Sequence, residues 1–538
     1  MNKYSIYIMM ALAMTLASCS DWLSFTPDKQ LSADNFFQTD DDAKAATATF
    51  YHYVFGDADE GFGRGFMFEI AGSGDDMIIG RVPEGIGYQT CNFRYDGREG
   101  QITGFNSQLN QVIAQTNWVI SSLLRKQTRS AIENRTLGEA YFMRAFSHLY
   151  WAYRYGRIDQ GVPFDRYEDY ENYPYEAPQQ RASVTENYAL IIEDLEKAAD
   201  LLPFFRDYSE ADYGRAHRAA AWAYMVKTYA YWAQHDKSKW ELIPALVDKI
   251  ETEGQCKLID KYSDVFTIAH NWDSEHIWSI NCSSQTRGGV YVACTVLENA
   301  GWGRINGWGF FKPTLGLRNE FVEGDQRRAT TMFEYGDEFI YFGDTMRYYS
   351  ESDLESGFMF AKYFEPYRYG EYKNGSAISP YVSRSDDGYT DLNIPLFRFA
   401  EALLFKAEAL IMMNRGADAA KVLNIITARA GLGDKKYSNA TMADLKHERR
   451  CELAGEYSDR FMDLKRWEDW DALRAPKKVR HHEERSNPDS PWTEMTVTWE
   501  NTNEDGTREF NPAVNIVMPY NPDDVVKANG RLKQNPGY

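Results

Sequence analysis

Two tryptophans flanked by glycine carry the most evident chemistry in this sequence. In Gly301-Trp302-Gly303-Arg304-Ile305-Asn306-Gly307-Trp308-Gly309, each indole stands between residues that lack a Cβ, which leaves the ring unshielded and the backbone free to bend. An unshielded ring can cover the apolar face of a ligand, while amides, carboxylates and arginine satisfy its polar edge. Trp302 and Trp308 are therefore candidate ligand platforms, the competing role being a ring that plugs the base of the loop. Phe93 and Tyr95, in Asn92-Phe93-Arg94-Tyr95-Asp96, alternate as in a short strand. That predicts both rings on one face, with Asn92, Arg94 and Asp96 on the other. Tyr291 is a further candidate, and for these three core packing is the competing role.

Other polar clusters offer less. Adjacent residues on an extended chain point to opposite faces, so Asp75-Asp76 makes a poor acid–base pair; glycosidase carboxylates flank one bond about 5–10 Å apart. Calcium takes about six to eight oxygens, and no EF-hand loop is present. His481-His482-Glu483-Glu484 lacks the HExxH spacing of a zinc site and reads as part of a solvated insertion over 475–515. No GxSxG, no Walker A and no GxGxxG after a strand occurs. The sequence thus predicts no catalytic residue, no metal ligand and no cofactor.

The body that positions these rings has 538 residues, 43% of them hydrophobic and 26% charged, as in a globular protein and unlike a disordered one. Its length suits about two to four domains or one large repeat-built body. The 59 Lys and Arg against 79 Asp and Glu leave a formal charge of −20, which repels phosphate backbones and argues against a nucleic-acid partner. The 14 Trp, 36 Tyr and 30 Phe must divide between core and platform. The six cysteines contain no CxxC. A Cys282–Cys294 disulfide is conceivable, but free buried thiols are the favoured reading.

Residues 1–18 read as a signal peptide: Lys3 gives a positive start, and the apolar run Ile6 to Leu16 is too short to span a bilayer alone. Leu16-Ala17-Ser18-Cys19 resembles a bacterial lipobox, in which Cys19 becomes the lipidated N-terminus. Several acyl chains on one cysteine give stable anchoring, which one chain does not.

Apolar periodicity predicts helices. An Ala-rich helix begins at the carboxylates Asp40-Asp41-Asp42 and runs to about Tyr53. Another carries Leu137, Tyr141, Ala145, Leu149 and Ala152 and ends at Gly156. Ser183 and Glu186 form a capping box for a third, stopped by Pro203. Arg215–Gln234 makes a fourth, and Leu396–Leu410 pairs across Asn414-Arg415-Gly416 with a return helix through Ala430. Trp118, Trp151, Trp222 and Trp232 sit at helical spacing and belong to the core. Small residues at the crossing of the last pair fit the tetratricopeptide pattern. Two stretches, about 57–104 and 262–392, break the helical period and read as loops, short strands and minor helices. Function concentrates on such segments when a rigid scaffold carries them.

An ordered series of motifs resembles the SusD/RagB family of outer-membrane nutrient-binding lipoproteins. It includes Phe36-Phe37, Tyr141-Phe142-Met143-Arg144-Ala145-Phe146, Gly161-Val162-Pro163 and Tyr213-Gly214-Arg215-Ala216. Arg398-Phe399-Ala400-Glu401-Ala402-Leu403-Leu404, Ala407-Glu408-Ala409, Arg429-Ala430-Gly431-Leu432 and Glu448-Arg449-Arg450 follow. Glu452-Leu453-Ala454, Asp463-Leu464-Lys465-Arg466-Trp467 and the terminal Gln534-Asn535-Pro536-Gly537-Tyr538 complete it. Glu456-Tyr457-Ser458-Asp459-Arg460 is one residue longer than the usual pattern, and Met462 replaces a common aromatic. The resemblance implies a mainly α fold, with tetratricopeptide-like helix pairs supporting an irregular, loop-rich ligand-binding half. After the signal peptide 1–18, it implies a single body over 19–538. That body comprises an N-terminal helical part with tether (19–235), an irregular region (236–392) and a C-terminal helical part (393–538). It implies a lipid anchor on the outer membrane facing outward, a SusC-like TonB-dependent β-barrel transporter as partner, and an oligosaccharide or glycan as ligand, bound on about 89–96 and 271–311. A binder of peptides or another nutrient on the same scaffold is the alternative; a glycoside hydrolase with a helical toroid is the third.

Overall fold

A computed structural model describes residues 36–55, 64–80, 90–164, 166–169, 180–285, 307, 309–351, 356–383, 389–498 and 502–538. The N-terminal block contains α1 (Asp40–Phe55), α2 (Arg64–Ser73), α3 (Gly100–Leu124), α4 (Ala131–Tyr155), α5 (Val184–Leu201), α6 (Arg218–Trp232) and α7 (Ile243–Thr252). The C-terminal block contains α8 (Phe399–Met412), α9 (Gly416–Arg429), α10 (Met442–Leu453) and α11 (Arg460–Arg466). Successive helices pack on one another from α3 to α7, and α8 lies against α6 and α7 as well as α9 and α10. The two blocks therefore share one layer, and a single hydrophobic cluster runs through both. Trp222 is buried in it, and Trp118, Trp151 and Trp232 pack against it half-buried.

Local chemistry sets the helix ends. Thr39 caps α1: its Oγ1 accepts from Asp42 N at 3.2 Å, and Asp42 Oδ2 accepts from Thr39 N at 2.7 Å. The cap thus precedes the aspartates, and Asp42 closes a box rather than capping. Ser130 and Glu133 form the same box at α4, which starts a turn and a half before the apolar periodicity becomes visible at Leu137. At α5, Ser183 accepts from Thr185 N, while Glu186 reaches Ala182 N, so the expected Ser183–Glu186 box is replaced by two separate bonds. Leu396, expected in a helix, lies in a strand.

That strand organises the irregular region. β1 spans Met77–Ile79, β2 His276–Ile280, β3 Phe311–Pro313 and β4 Ile394–Arg398. β2 and β4 pair antiparallel, from Ile280 opposite Ile394 to His276 opposite Arg398. The ends of the stretch between them, Asn281 and Asn393, therefore meet at one place. β1 pairs with β3, Met77 opposite Pro313 and Ile79 opposite Phe311, which ties the 57–104 stretch to the end of the ring-rich segment. The 475–515 excursion carries a hairpin, Lys478–His482 against Trp492–Thr496. All sheets among the described residues are two-stranded, so the fold is mainly α.

The motif residues of the C-terminal block meet in a buried charge network. Arg398 contacts Glu456 at 2.7 Å and Glu275 and Glu452 at 2.8 Å; Arg429 also reaches Glu275 and Glu452. Arg327 contacts Glu448 at 2.8 Å, and Arg449 holds Asp463 at 2.6 Å and Glu401 at 3.0 Å. Burial alone would raise the Glu452 carboxyl, but Arg429, Arg398 and Arg327 hold it down at about 2. Removing one member of such a set strands an uncompensated charge, so the network enforces the mutual placement of α8, α9, α10 and β4.

Candidate ligand-binding site

The ring-rich segment begins at Asn271, and its root is pinned by side-chain amides. Asn271 Nδ2 donates to Asp391 O at 2.8 Å, and its Oδ1 accepts from Asn393 N at 3.0 Å. Asn393 Oδ1 accepts from Cys282 N at 3.1 Å, and Asp391 Oδ1 from Ser284 N at 2.6 Å. Both ends of the 281–393 excursion are thereby fixed to one another.

The rings at this root separate by environment. Trp278 on β2 is buried, edge-on to Phe142 and Phe146 with centroids 4.7 and 5.0 Å away. Phe310 and Phe311 are buried at the other end, where Gly80 N donates to Phe310 O. A Cβ on Gly80 would stand 2.6 Å from Gly309 O, so this approach requires glycine. Trp272 differs: 37% of it is exposed. Its ring lies 5.2 Å from that of Tyr213 and 6.4 Å from that of Phe205, nearly parallel to the latter at 16°. Phe205 follows α5, Tyr213 precedes α6 and Trp272 precedes β2, so three separate elements supply one surface of rings. The exposed Asn281 borders it, donating from Nδ2 to Tyr213 O at 3.1 Å. Apolar ring faces beside amide and carbonyl groups are what a sugar requires.

Phe93 and Tyr95 correct the reading from spacing. Neither lies in a strand: Phe93 is in a turn, at φ 57° with its N donating to Thr90 O, and Tyr95 follows in irregular chain. Both are 5% exposed. Phe93 is edge-on to Phe510 at 4.9 Å, and Tyr95 stacks on the C-terminal Tyr538 at 6.1 Å. Both rings pack against residues from the C-terminal part of the chain, Phe93 on Phe510 and Phe461 and Tyr95 on Tyr538, so their exposure is small. Arg94 and Asp96 do face outward, as alternation predicts, but Asn92 is buried and accepts from Glu509 N at 2.7 Å. Trp302, Trp308, Tyr291, Cys294 and Cys19 lie outside the described residues.

The acidic pair Asp75-Asp76 is locked by arginines: Arg460 Nε meets Asp75 at 2.9 Å, and Arg450 Nε meets Asp76 at 2.7 Å. Burial raises Asp76; the same burial opposes Arg460 and Arg450 at Asp75, yet they hold that carboxyl well below the usual range. The adjoining cavity, about 20 Å³, has room for one water and none for a sugar. His482 is buried against Tyr335, ring centroids 3.5 Å apart, and its Nδ1 faces Ser490 O. Among the described residues no three His, Cys, Asp or Glu side chains gather to hold a metal, and no helix is long and apolar enough to cross a membrane. Cys256 and Cys451 are buried free thiols, burial pushing the Cys256 thiol up to about 12.

A helical-repeat body closed by buried ion pairs, with a ring-bearing surface at the root of an irregular excursion, is the build of a binding module on a rigid scaffold. The comparisons agree. A family model described as the SusD family matches residues 274–538, and one described as starch-binding, associating with the outer membrane, matches 82–230. The SusD-like protein P2 of Formosa agariphila is 25% identical over 497 residues, spanning 87% of this chain and 91% of that protein. In fold, the chain is similar to a SusD-like protein from Bacteroides fragilis, with a TM-score of 0.76 and 19% identity, covering 94% of this chain and 98% of that one. It is also similar to surface glycan-binding protein A from Bacteroides thetaiotaomicron, solved in complex with laminarihexaose, with a TM-score of 0.67, 20% identity and coverage of 92% and 99%. The chain belongs to the SusD/RagB family, which is associated with the outer membrane.

Proposed function

We propose that this protein is a non-enzymatic surface glycan-binding lipoprotein, anchored through Cys19 to the outer membrane and facing outward. It captures oligosaccharides and delivers them to a SusC-like TonB-dependent β-barrel transporter, closing over it as a lid. The observation that carries the binding role is the exposed Trp272 ring with Tyr213 and Phe205 at the root of the ring-rich segment. Trp302, Trp308 and Tyr291, further along the same ring-rich stretch of sequence, are the other ligand contacts of this reading. Capture then needs only ring stacking and hydrogen bonds, and affinity per site is modest because sugar hydroxyls are well hydrated when free. Relatives that bind laminarin-type glucans support the ligand class.

A glycan array on the lipid-free mature chain, followed by calorimetry with the best glycan, tests this reading. Trp272→Ala, Trp302→Ala and Trp308→Ala each weaken binding without lowering the melting temperature. Unchanged affinity in all three variants defeats the site, and release of reducing sugar by the purified protein defeats the non-enzymatic role. Palmitate labelling of the wild type that persists in Cys19→Ala defeats the anchor.

A further inference from the structure

A second concavity, of about 660 Å³, opens far along the chain from the ring-rich segment. It lies where the C-terminal ends of α4, α6 and α8 meet α10 and α11, and none of its walls comes from residues 271–311. Its size is that of a small-molecule site. Ile158 and Met412 line it and remain 55% and 41% exposed. Trp470 adds a ring whose other side stacks on Phe510 at 5.4 Å.

The charges of this groove run against those of the whole chain. Arg157 is neutralised by Asp159, Lys446 by Asp469, and Arg466 by Glu408 and Asp463. Lys465 and Lys237 also line it, and among the described residues neither has a carboxylate within ion-pair distance; Glu468, exposed at the rim, is the lining carboxylate that no cation pairs. Lys465 is half-buried, and its ammonium donates to the Tyr153 carbonyl. Asp459 and Glu69 act on it from beyond ion-pair reach, opposed by Arg154. Burial first, and Arg154 second, bring its ammonium down to about 7, so an arriving anion would restore its charge. In a chain of net charge −20, a groove whose unpaired groups are two lysines against one rim carboxylate, beside an aliphatic mouth, is complementary to an anion with an apolar tail.

We propose that this groove binds an aliphatic monocarboxylate, its acid group on Lys465 and its hydrocarbon body along Ile158, Met412 and Trp470. Met412 suits such a body because an unbranched thioether adapts to a flexible chain. The inference does not rest on the glycan-binding reading, since the two regions share no residue.

The test is calorimetry on the lipid-free mature chain with dodecanoate below its micelle concentration, and with dodecan-1-ol as the uncharged analogue. Dodecanoate binds one to one, and the alcohol binds roughly tenfold more weakly or not at all. Lys465→Met loses roughly tenfold in dodecanoate affinity and leaves the alcohol unaffected. Ile158→Asp, at an exposed position that leaves folding intact, weakens both. Glycan affinity is unchanged in both variants, which separates failure here from failure of the glycan site. No binding of dodecanoate, equal binding of acid and alcohol, wild-type affinity in both variants, or loss of glycan affinity in step with dodecanoate each overturns the proposal.

Discussion

Arg398 and Glu452 meet twice: Nη1 reaches the Glu452 carboxylate at 2.8 Å, and Nη2 donates to the Glu452 backbone carbonyl at 2.7 Å. A β-strand that ends the irregular excursion is thereby bound to the last turn of α10. Arg398 also neutralises Glu275 and Glu456, both buried. Arg398→Met keeps most of the volume but strands negative charge in the interior. Loss of one partner of a buried pair costs about 3–5 kcal/mol, and the unfolding free energy of the variant, extrapolated from urea titration, should be lower by that amount. A change within about 0.5 kcal/mol, the range of ordinary surface substitutions, would show that water replaces the guanidinium.

Glu452 predicts an acid limit. Its folded carboxyl is held at about 2, against an unfolded value near 4.3. A depressed folded value stabilises above the unfolded one, and that contribution fades as pH falls from about 4.3 toward 2. Its full size is roughly 3 kcal/mol. The stability gap between wild type and Glu452→Gln should therefore be widest near neutrality and shrink through that window. Urea titrations at stepped pH that give a constant gap would contradict the assignment.

Phe93→Ala and Trp272→Ala should have opposite effects on stability and on glycan affinity. Phe93 is 5% exposed between Phe510 and Phe461, so Phe93→Ala should cost about 3–5 kcal/mol and leave glycan affinity intact. Trp272→Ala removes a ring already 37% in water and should cost at most about 1 kcal/mol while lowering affinity. Thermal scans beside calorimetry separate the two. A destabilised but glycan-competent Trp272→Ala would assign that ring to packing.

These differences mark what spacing can carry. α1, α4, α5, α6, α8 and α9 were legible because their apolar residues repeat at three and four positions or their ends carry capping or breaking residues, whereas α7 falls inside the stretch read as irregular. α2 was hidden, since Gly65 and Gly72 inside Arg64–Ser73 give it a loop's composition. The side of the chain that Phe93 and Tyr95 face was legible, but not what covers it, because Phe510 and Tyr538 come from more than four hundred positions away. Trp272 was one ring among several in the segment; its exposure follows from where Phe205 and Tyr213 arrive, which no local pattern encodes. Arg398 and Glu452 were recognisable as motif residues, yet Glu275, which pairs with Arg398, and Arg327, which pairs with Glu452, lie outside those motifs.

Gly214 links the stability of the body to the ring surface and gives a graded test. It sits at φ 90°, and an added Cβ would stand 1.8 Å from Asn281 Nδ2. The same Nδ2 donates to Tyr213 O, and Gly214 O accepts from Trp278 Nε1 at 3.3 Å. Gly214→Ala must therefore displace Asn281 and disturb the backbone that presents Tyr213 to Trp272. Gly433, also at φ 90°, has nothing within 4 Å of where its Cβ would lie, so Gly433→Ala reports the backbone cost alone, about 1–2 kcal/mol. Gly214→Ala should exceed that cost and also reduce glycan affinity, whereas Gly433→Ala should leave affinity untouched. Equal destabilisation in the two variants, with affinity retained in both, would detach Asn281 and Tyr213 from the binding surface.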